Sequence, residues 1–254
     1  MGSNKILGCH SNYKPIRNLI YWEDCYLHQT YLETQKTSSN DPIGNPQQAN
    51  LYTAKVGTNT LYGTNVPTLK VDLHVFHPNF DTITNNYDIG LVKLSTRLNF
   101  TDYVQPICLP RKNYNSRELS KFDVCVATGF GKTEHYSSVS RFLLQGRMNI
   151  MTYEDCIRNL KRQVYVDESE LRQVVVDDIM ICAGSIPTYY EPNSCKGDSG
   201  SPYVCRDPNG IWTQVGITSF GVPVDFDKSC TNSIFTRVPA FIQFIHDTMS
   251  YNIK

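Results

Sequence analysis

Asn193-Ser194-Cys195-Lys196-Gly197-Asp198-Ser199-Gly200-Ser201-Pro202 is the stretch on which the reading of this chain turns. One serine, Ser199, stands between Gly197-Asp198 and Gly200, with Cys195 upstream and Cys205 downstream. Glycine adopts backbone conformations closed to other residues, so two of them around one hydroxyl let the chain turn sharply. Such a turn can aim two N–H groups at one spot, which is what holding a developing oxyanion beside a nucleophile requires. The cysteines can fasten the loop on both sides, so its shape need not come from regular secondary structure. A glycine-flanked serine alone also fits an ordinary turn; the longer string with its two cysteines is far more specific.

The totals narrow the setting. A chain of 254 residues suits one large all-β domain or two small ones. The formal net charge is zero, so electrostatics make no case for nucleic acid or a membrane surface as partner. No apolar run approaches the roughly 18 residues needed to span a bilayer. The first 30 residues, with Asn4, Lys5, Asn12, Lys14, Glu23 and Asp24, lack the apolar core of a signal peptide. Nine cysteines without a CxxC or Cys/His cluster nevertheless point to disulfides in an oxidising, extracellular compartment, and the odd count leaves one unpaired or intermolecular. The only glycosylation sequon is Asn99-Phe100-Thr101. No metal or cofactor is expected; segment 62–70 holds no carboxylates, which argues against a calcium loop.

Residues 1–50 read as an irregular segment, with a Ser/Asn/Pro/Gln-rich stretch from Thr37 to Asn50. From Leu51 onward, short apolar runs separated by turn residues dominate. They include Ala54 to Val56, Leu69 to Val75, Ile89 to Leu94, Val124 to Gly131, Leu143 to Met151, Tyr203-Val204, Trp212 to Phe220 and Ile234 to Val238. This spacing predicts an all-β antiparallel barrel or sandwich. Two stretches read as helical: Asp167 to Val176, and Pro239 to Tyr251 with Phe241, Ile245 and Met249 on one face.

Gly197-Asp198-Ser199-Gly200-Ser201-Pro202 resembles the nucleophile loop of chymotrypsin-like serine proteases, whose usual form is GDSGGP. Further stretches follow in the family's order: Val56 to Leu61, His77-Pro78-Asn79-Phe80 with Asp88 to Leu94, Gln105 to Pro110, Met180 to Gly184, and Gly216 to Gly221. The resemblance covers residues 51 to 252. It implies two six-stranded antiparallel β-barrels, the first one incomplete, with a C-terminal helix, residues 51–254 forming the protease-like domain. It also implies serine endopeptidase chemistry on protein or peptide substrates, with protease inhibitors or cascade proteins as further partners.

Carried onto this sequence, the resemblance makes Ser199 the nucleophile and the amides of Gly197 and Ser199 the oxyanion donors. Asp88 becomes the carboxylate that orients the base, although a turn aspartate capping the next strand is the alternative. A serine hydroxyl needs a base within about 2.6–3.2 Å, and here the pattern departs from the family. The Ala-Ala-His-Cys segment expected before Val56 is missing. Of the six histidines, His10, His28, His74, His77, His135 and His246, only His10 and His28 lie in the right half, and neither has matching neighbours. His28 is the candidate to inspect first. Weak or absent activity is the expectation, with a non-catalytic binding homologue as the alternative.

Asp198 is where the family places the partner of a new N-terminal ammonium. Lys5-Ile6-Leu7-Gly8 only faintly echoes that terminus, so a zymogen-like Asp198 with a collapsed oxyanion hole is expected. Asn193 falls at the base of the primary pocket and is neutral, which removes a strong preference for basic side chains. Asn193 also fits a plain loop residue. Ser219, Phe220 and Gly221 fall on the strand that pairs with substrate, and Ser233 where a pocket glycine is common. The resemblance pairs Cys125 with Cys205, Cys156 with Cys182, Cys195 with Cys230 and Cys9 with Cys108, leaving Cys25 over.

Overall fold

The computed structural model describes residues 20–21, 31–34, 52–62, 68–110, 114–119, 121–122, 124–133, 137–163, 168–184, 193–207, 209–221 and 233–251. Five strands build a first antiparallel sheet: β1 (Ile20–Tyr21), β2 (Tyr31–Thr34), β3 (Tyr52–Lys55), β4 (Thr68–Phe76) and β5 (Gly90–Leu94). Their order is β1-β5-β4-β3-β2. Two of these strands lie in the segment read as irregular from sequence. Ile20 pairs with Lys93 and Tyr31 with Lys55, so backbone pairing rather than side-chain periodicity supplies their structure. Ala54, Val71, Val92 and Leu94 form the core of this sheet.

The second sheet holds β6 (Val124–Gly129), β7 (Leu144–Arg147), β8 (Asn149–Ile150), β9 (Met180–Gly184), β10 (Pro202–Arg206), β11 (Trp212–Gly221) and β12 (Ser233–Arg237). Their order is β7-β6-β10-β11-β12-β9-β8. The two outermost strands, β7 and β8, are separated in the chain by Met148 alone, so the sheet must curl until its ends nearly meet. Counted as one bent strand, β7 and β8 make this the expected six-stranded barrel. Met148 sits inside the bend, its N–H donating to the Cys125 carbonyl at 3.1 Å and its carbonyl accepting the Tyr203 hydroxyl at 2.9 Å. Tyr203 and Phe235 stack within the barrel at 4.4 Å between ring centroids.

Helices cover what the barrel leaves open. After a short turn of helix, α1 (Ser116–Leu119), come α2 (Tyr153–Gln163) and α3 (Glu168–Val174), which cap the outer face of β9. Sequence periodicity locates α3 but misses α2, whose signal is the start: Thr152 and Asp155 form a capping pair, with the Asp155 N–H donating to Thr152 Oγ1 at 3.2 Å. Cys156, Ile157 and Leu160 then face Met180, Cys182 and Ile234. The C-terminal helix α4 (Ile242–Tyr251) follows a 3-10 turn at Val238–Phe241, where Pro239 sits at the first turn. Ile242 and Ile245 of α4, with Val238 and Phe241, pack against Ile89 just before β5, Leu91 of β5 and Ile217 of the second sheet. That apolar cluster joins the two halves.

Two disulfides join described residues, Cys125–Cys205 and Cys156–Cys182. The first links β6 to β10 at directly paired positions; the second fixes α2 to β9. Cys108 and Cys195 are also disulfide-bonded, with partners outside the described residues. Cys9, Cys25 and Cys230 lie outside them too. Loop-closure entropy makes the 80-residue Cys125–Cys205 link the stronger restraint. Replacing that pair by alanine is expected to lower unfolding free energy by about 4 kcal/mol, against about 3 for Cys156–Cys182. Urea unfolding of both double variants measures the difference; equal losses would contradict the loop-length account.

Candidate active site

The Ser199 loop is held from two sides. Gly197 (φ +102°) and Gly200 (φ +85°) both lie in the left-handed region, where a side chain would be strained. Past the serine, the Gly200 N–H donates to the Thr218 carbonyl at 2.7 Å, and the Thr218 N–H donates to the Ser201 carbonyl at 2.8 Å. These bonds dock the loop on β11 and leave Ser199 exposed. Before the serine, the Lys132 N–H donates to the Lys196 carbonyl at 3.0 Å. A trans peptide directs its C=O and N–H oppositely, so this bond turns the Gly197 N–H away from Lys132. Val139, bridged to Lys132, packs against Gly197. Among the described residues, neither the Gly197 nor the Ser199 N–H donates to a protein acceptor.

Asp198 anchors this backbone. Its Oδ1 accepts the Gly131 N–H at 2.7 Å and its Oδ2 the Cys195 N–H at 2.8 Å. A methyl placed on Gly129 or Gly131 would fall 2.0 Å or 2.4 Å from atoms of the Asp198 carboxyl, so the two glycines create its slot. Among the described residues the carboxylate has no ion-pair partner; backbone amides occupy its lone pairs instead. Burial raises its pKa, and the two amide bonds oppose that rise.

Asp88 reaches the same region from the first sheet. The Ser219 hydroxyl on β11 donates to Asp88 Oδ2 at 2.5 Å, and the Thr236 hydroxyl on β12 donates to the Asp88 carbonyl at 2.6 Å. Oδ1 has no donor among the described residues. Burial raises the Asp88 pKa, with the Ser219 bond working against it. Thr218 and Ser219 are consecutive, so one short piece of β11 brings Asp88 and the Ser199 loop together. Sequence reading placed Ser219 on a substrate strand and missed its contact with Asp88.

Of the described histidines, His74 and His77 are engaged elsewhere. His74 is buried within β4 beside Phe76. His77 stacks on Tyr87 at 5.0 Å and meets the rings of Phe241 and Phe244, and burial lowers its pKa. His246 is exposed on α4. His10, His28 and His135 lie outside the described residues.

The pocket candidates form a second group. Ser233 is fully buried, and its hydroxyl is bonded to the Ser194 hydroxyl while accepting the Ser194 N–H at 3.1 Å. Gly221 pairs with Ser233 and Phe220 with Ile234 across β11 and β12. Asn193, next to Ser194, is half-buried, and its Oδ1 is shielded from solvent without a protein donor among the described residues. This brings Ser194, next to Asn193, to Ser233 at the end of the β11–β12 pair where Gly221 follows Ser219 on β11.

The chain matches the family model described as Trypsin over residues 44–245. It belongs to the trypsin family. Its relatives include the atrial natriuretic peptide-converting enzymes of Homo sapiens (35% identical over 175 residues), Mus musculus (35% over 175) and Rattus norvegicus (36% over 176). Each match covers 67% of this chain but only 15%, 14% and 14% of the respective relative.

Two expectations follow from the geometry. Asp88 holds its proton more tightly folded than unfolded, so its contribution to stability is fully present below about pH 4 and is lost as pH rises through its raised folded value. Asp88→Asn should therefore flatten the fall in urea midpoint above about pH 4; an unchanged pH profile would refute this. Gly131→Ala should dislodge the Asp198 carboxyl and lower stability by about 1–3 kcal/mol in the same assay.

Proposed function

We propose that the domain is a serine endopeptidase type that cleaves peptide bonds in protein substrates through an acyl-enzyme, with slow or no turnover in residues 1–254. Ser199 is the nucleophile, the amides of Gly197 and Ser199 receive the oxyanion, and Asp88 orients the base. The observation that carries this reading is the exposed Ser199 on a loop docked beside Asp88, with the Gly197 and Ser199 amides bound to no acceptor among the described residues. Hydrolysis would proceed by attack of Oγ on the carbonyl carbon, expulsion of the amine, and attack of water on the ester.

Slow turnover follows from the proton. Without a base, the Ser199 hydroxyl keeps its hydrogen and attacks poorly, whereas the amides alone still stabilise the tetrahedral anion. Serine proteases that lose a triad member keep about 10³–10⁴-fold catalysis over water from these amides and from substrate binding. His28 remains the proposed base of whatever turnover exists. Asn193 and Ser233 give a neutral, narrowed pocket that disfavours a basic side chain, since neither of them is a carboxylate. The disulfides support an oxidising, extracellular setting for the domain. The second reading, a non-catalytic homologue binding protein partners, is favoured by the engagement of His74 and His77 elsewhere.

A fluorophosphonate probe separates these readings. Labelling of Ser199 should be slow, abolished by Ser199→Ala, and slower still in His28→Ala. Rapid labelling unaffected by His28→Ala would overturn both the slow chemistry and the role given to His28. No labelling at millimolar probe over hours would favour the binding homologue.

A further inference from the structure

We propose that Asn99 is a site of N-linked glycosylation. Asn99-Phe100-Thr101 satisfies the sequon, with a residue other than proline in the middle. Its place in the fold makes the modification sterically admissible. Asn99 and Thr101 are both exposed, and no hydrogen bond among the described residues engages the Asn99 side-chain amide. The sequon opens a small closed turn: the Thr101 N–H donates to the Val104 carbonyl at 3.0 Å, and the Val104 N–H donates back to the Thr101 carbonyl at 3.3 Å. Thr101 Oγ1 accepts the N–H groups of Tyr103 and Val104 at 3.1 Å and 3.2 Å. These contacts hold the turn shut behind Asn99 without drawing on its amide, so the fold is compatible with a substituent there.

The surroundings favour a sugar over bare water. Phe100 is 48% exposed and Tyr103 67%, among the largest apolar side chains left on this surface. A carbohydrate attached beside them would shield both rings, whose exposure otherwise invites association. β5 carries the chain about 13 Å from its Asp88 end before the sequon begins, at roughly 3.3 Å per residue. The glycan would thus be rooted at the far end of the strand from the candidate active site. Passage through an oxidising compartment, which the disulfides require, is also passage through the compartment of N-glycosylation.

The chemistry is a group transfer without redox change. Asn99 Nδ2 loses a proton and bonds to the anomeric carbon of an N-acetylglucosamine. The bond from that carbon to a lipid-linked pyrophosphate breaks, and the pyrophosphate leaves with the electron pair. The co-reactant is therefore a lipid pyrophosphate oligosaccharide.

The full 254-residue chain, expressed in eukaryotic cells behind a cleavable leader, provides the test. Peptide-N-glycosidase digestion in heavy-oxygen water should give a single downward mobility step, with Asn99 recovered as heavy-oxygen aspartate. Asn99→Gln and Thr101→Ala should each abolish the step, whereas Thr101→Ser should keep it. Reading lysate as well as medium lets a retained variant still report. Recovery of the Asn99 peptide unmodified from the disulfide-bonded wild-type chain would overturn the proposal. So would a step that persists in Asn99→Gln.

Discussion

Thr218 and Ser219 hold the site together. Backbone groups of Thr218 bind the loop just after Ser199, at Gly200 and Ser201, while the neighbouring hydroxyl of Ser219 binds Asp88. Thr218 acts through its backbone and Ser219 through its side chain, so two adjacent residues serve two different partners. Sliding β11 by one residue would break both connections at once. The register is fixed from outside: β11 lies between β10 and β12, with Thr218 opposite Phe235 and Ile217 opposite both Pro202 and Thr236. The apolar cluster of Ile89, Leu91, Ile217 and Ile245 then presses the first sheet onto this strand. Packing, rather than the Ser219–Asp88 bond itself, brings the two together; the bond selects the final geometry.

The Ser199 loop adds a second layer of control through charge. A carboxylate taken out of water without a cation is unfavourable unless its oxygens find donors. Asp198 finds two backbone N–H groups in a slot open only because positions 129 and 131 are glycines. With that carboxylate anchored, the Lys196 carbonyl accepts the Lys132 N–H, and the Gly197 amide is turned by peptide planarity. The orientation of one N–H beside the candidate nucleophile therefore depends on two glycines far earlier in the chain, the separation across the Gly131–Asp198 bond being 67 residues.

How much of this the sequence discloses depends on range. The Ser199 loop is legible because its glycines and cysteines are local, and Asp88 because it opens an apolar strand in the family's order. The strand spacing and α3 and α4 follow from periodicity. The bend at Met148 is not legible: Leu143 to Met151 reads as one strand, and only the closing of the barrel divides it. Helix α2 begins with a capping pair but carries a mostly polar surface, so its apolar stripe of Cys156, Ile157 and Leu160 is short. The Ser219–Asp88 bond spans 131 residues and two sheets, and no local pattern encodes it.

Asp88 carries an electrostatic cost that its surroundings only partly offset. Its burial raises the carboxyl pKa, meaning that the fold disfavours the ionised form relative to the unfolded chain. Ser219 compensates on one oxygen and leaves the other without a donor among the described residues. An asparagine here could accept the Ser219 hydroxyl and would have no charge to desolvate. Stability therefore does not explain the carboxylate. An imidazolium beside the second oxygen would: it would supply a donor and favour the ionised form together. The open oxygen of Asp88, beside the docked Ser199 loop, is therefore a place where a cationic donor would offset the cost of burial.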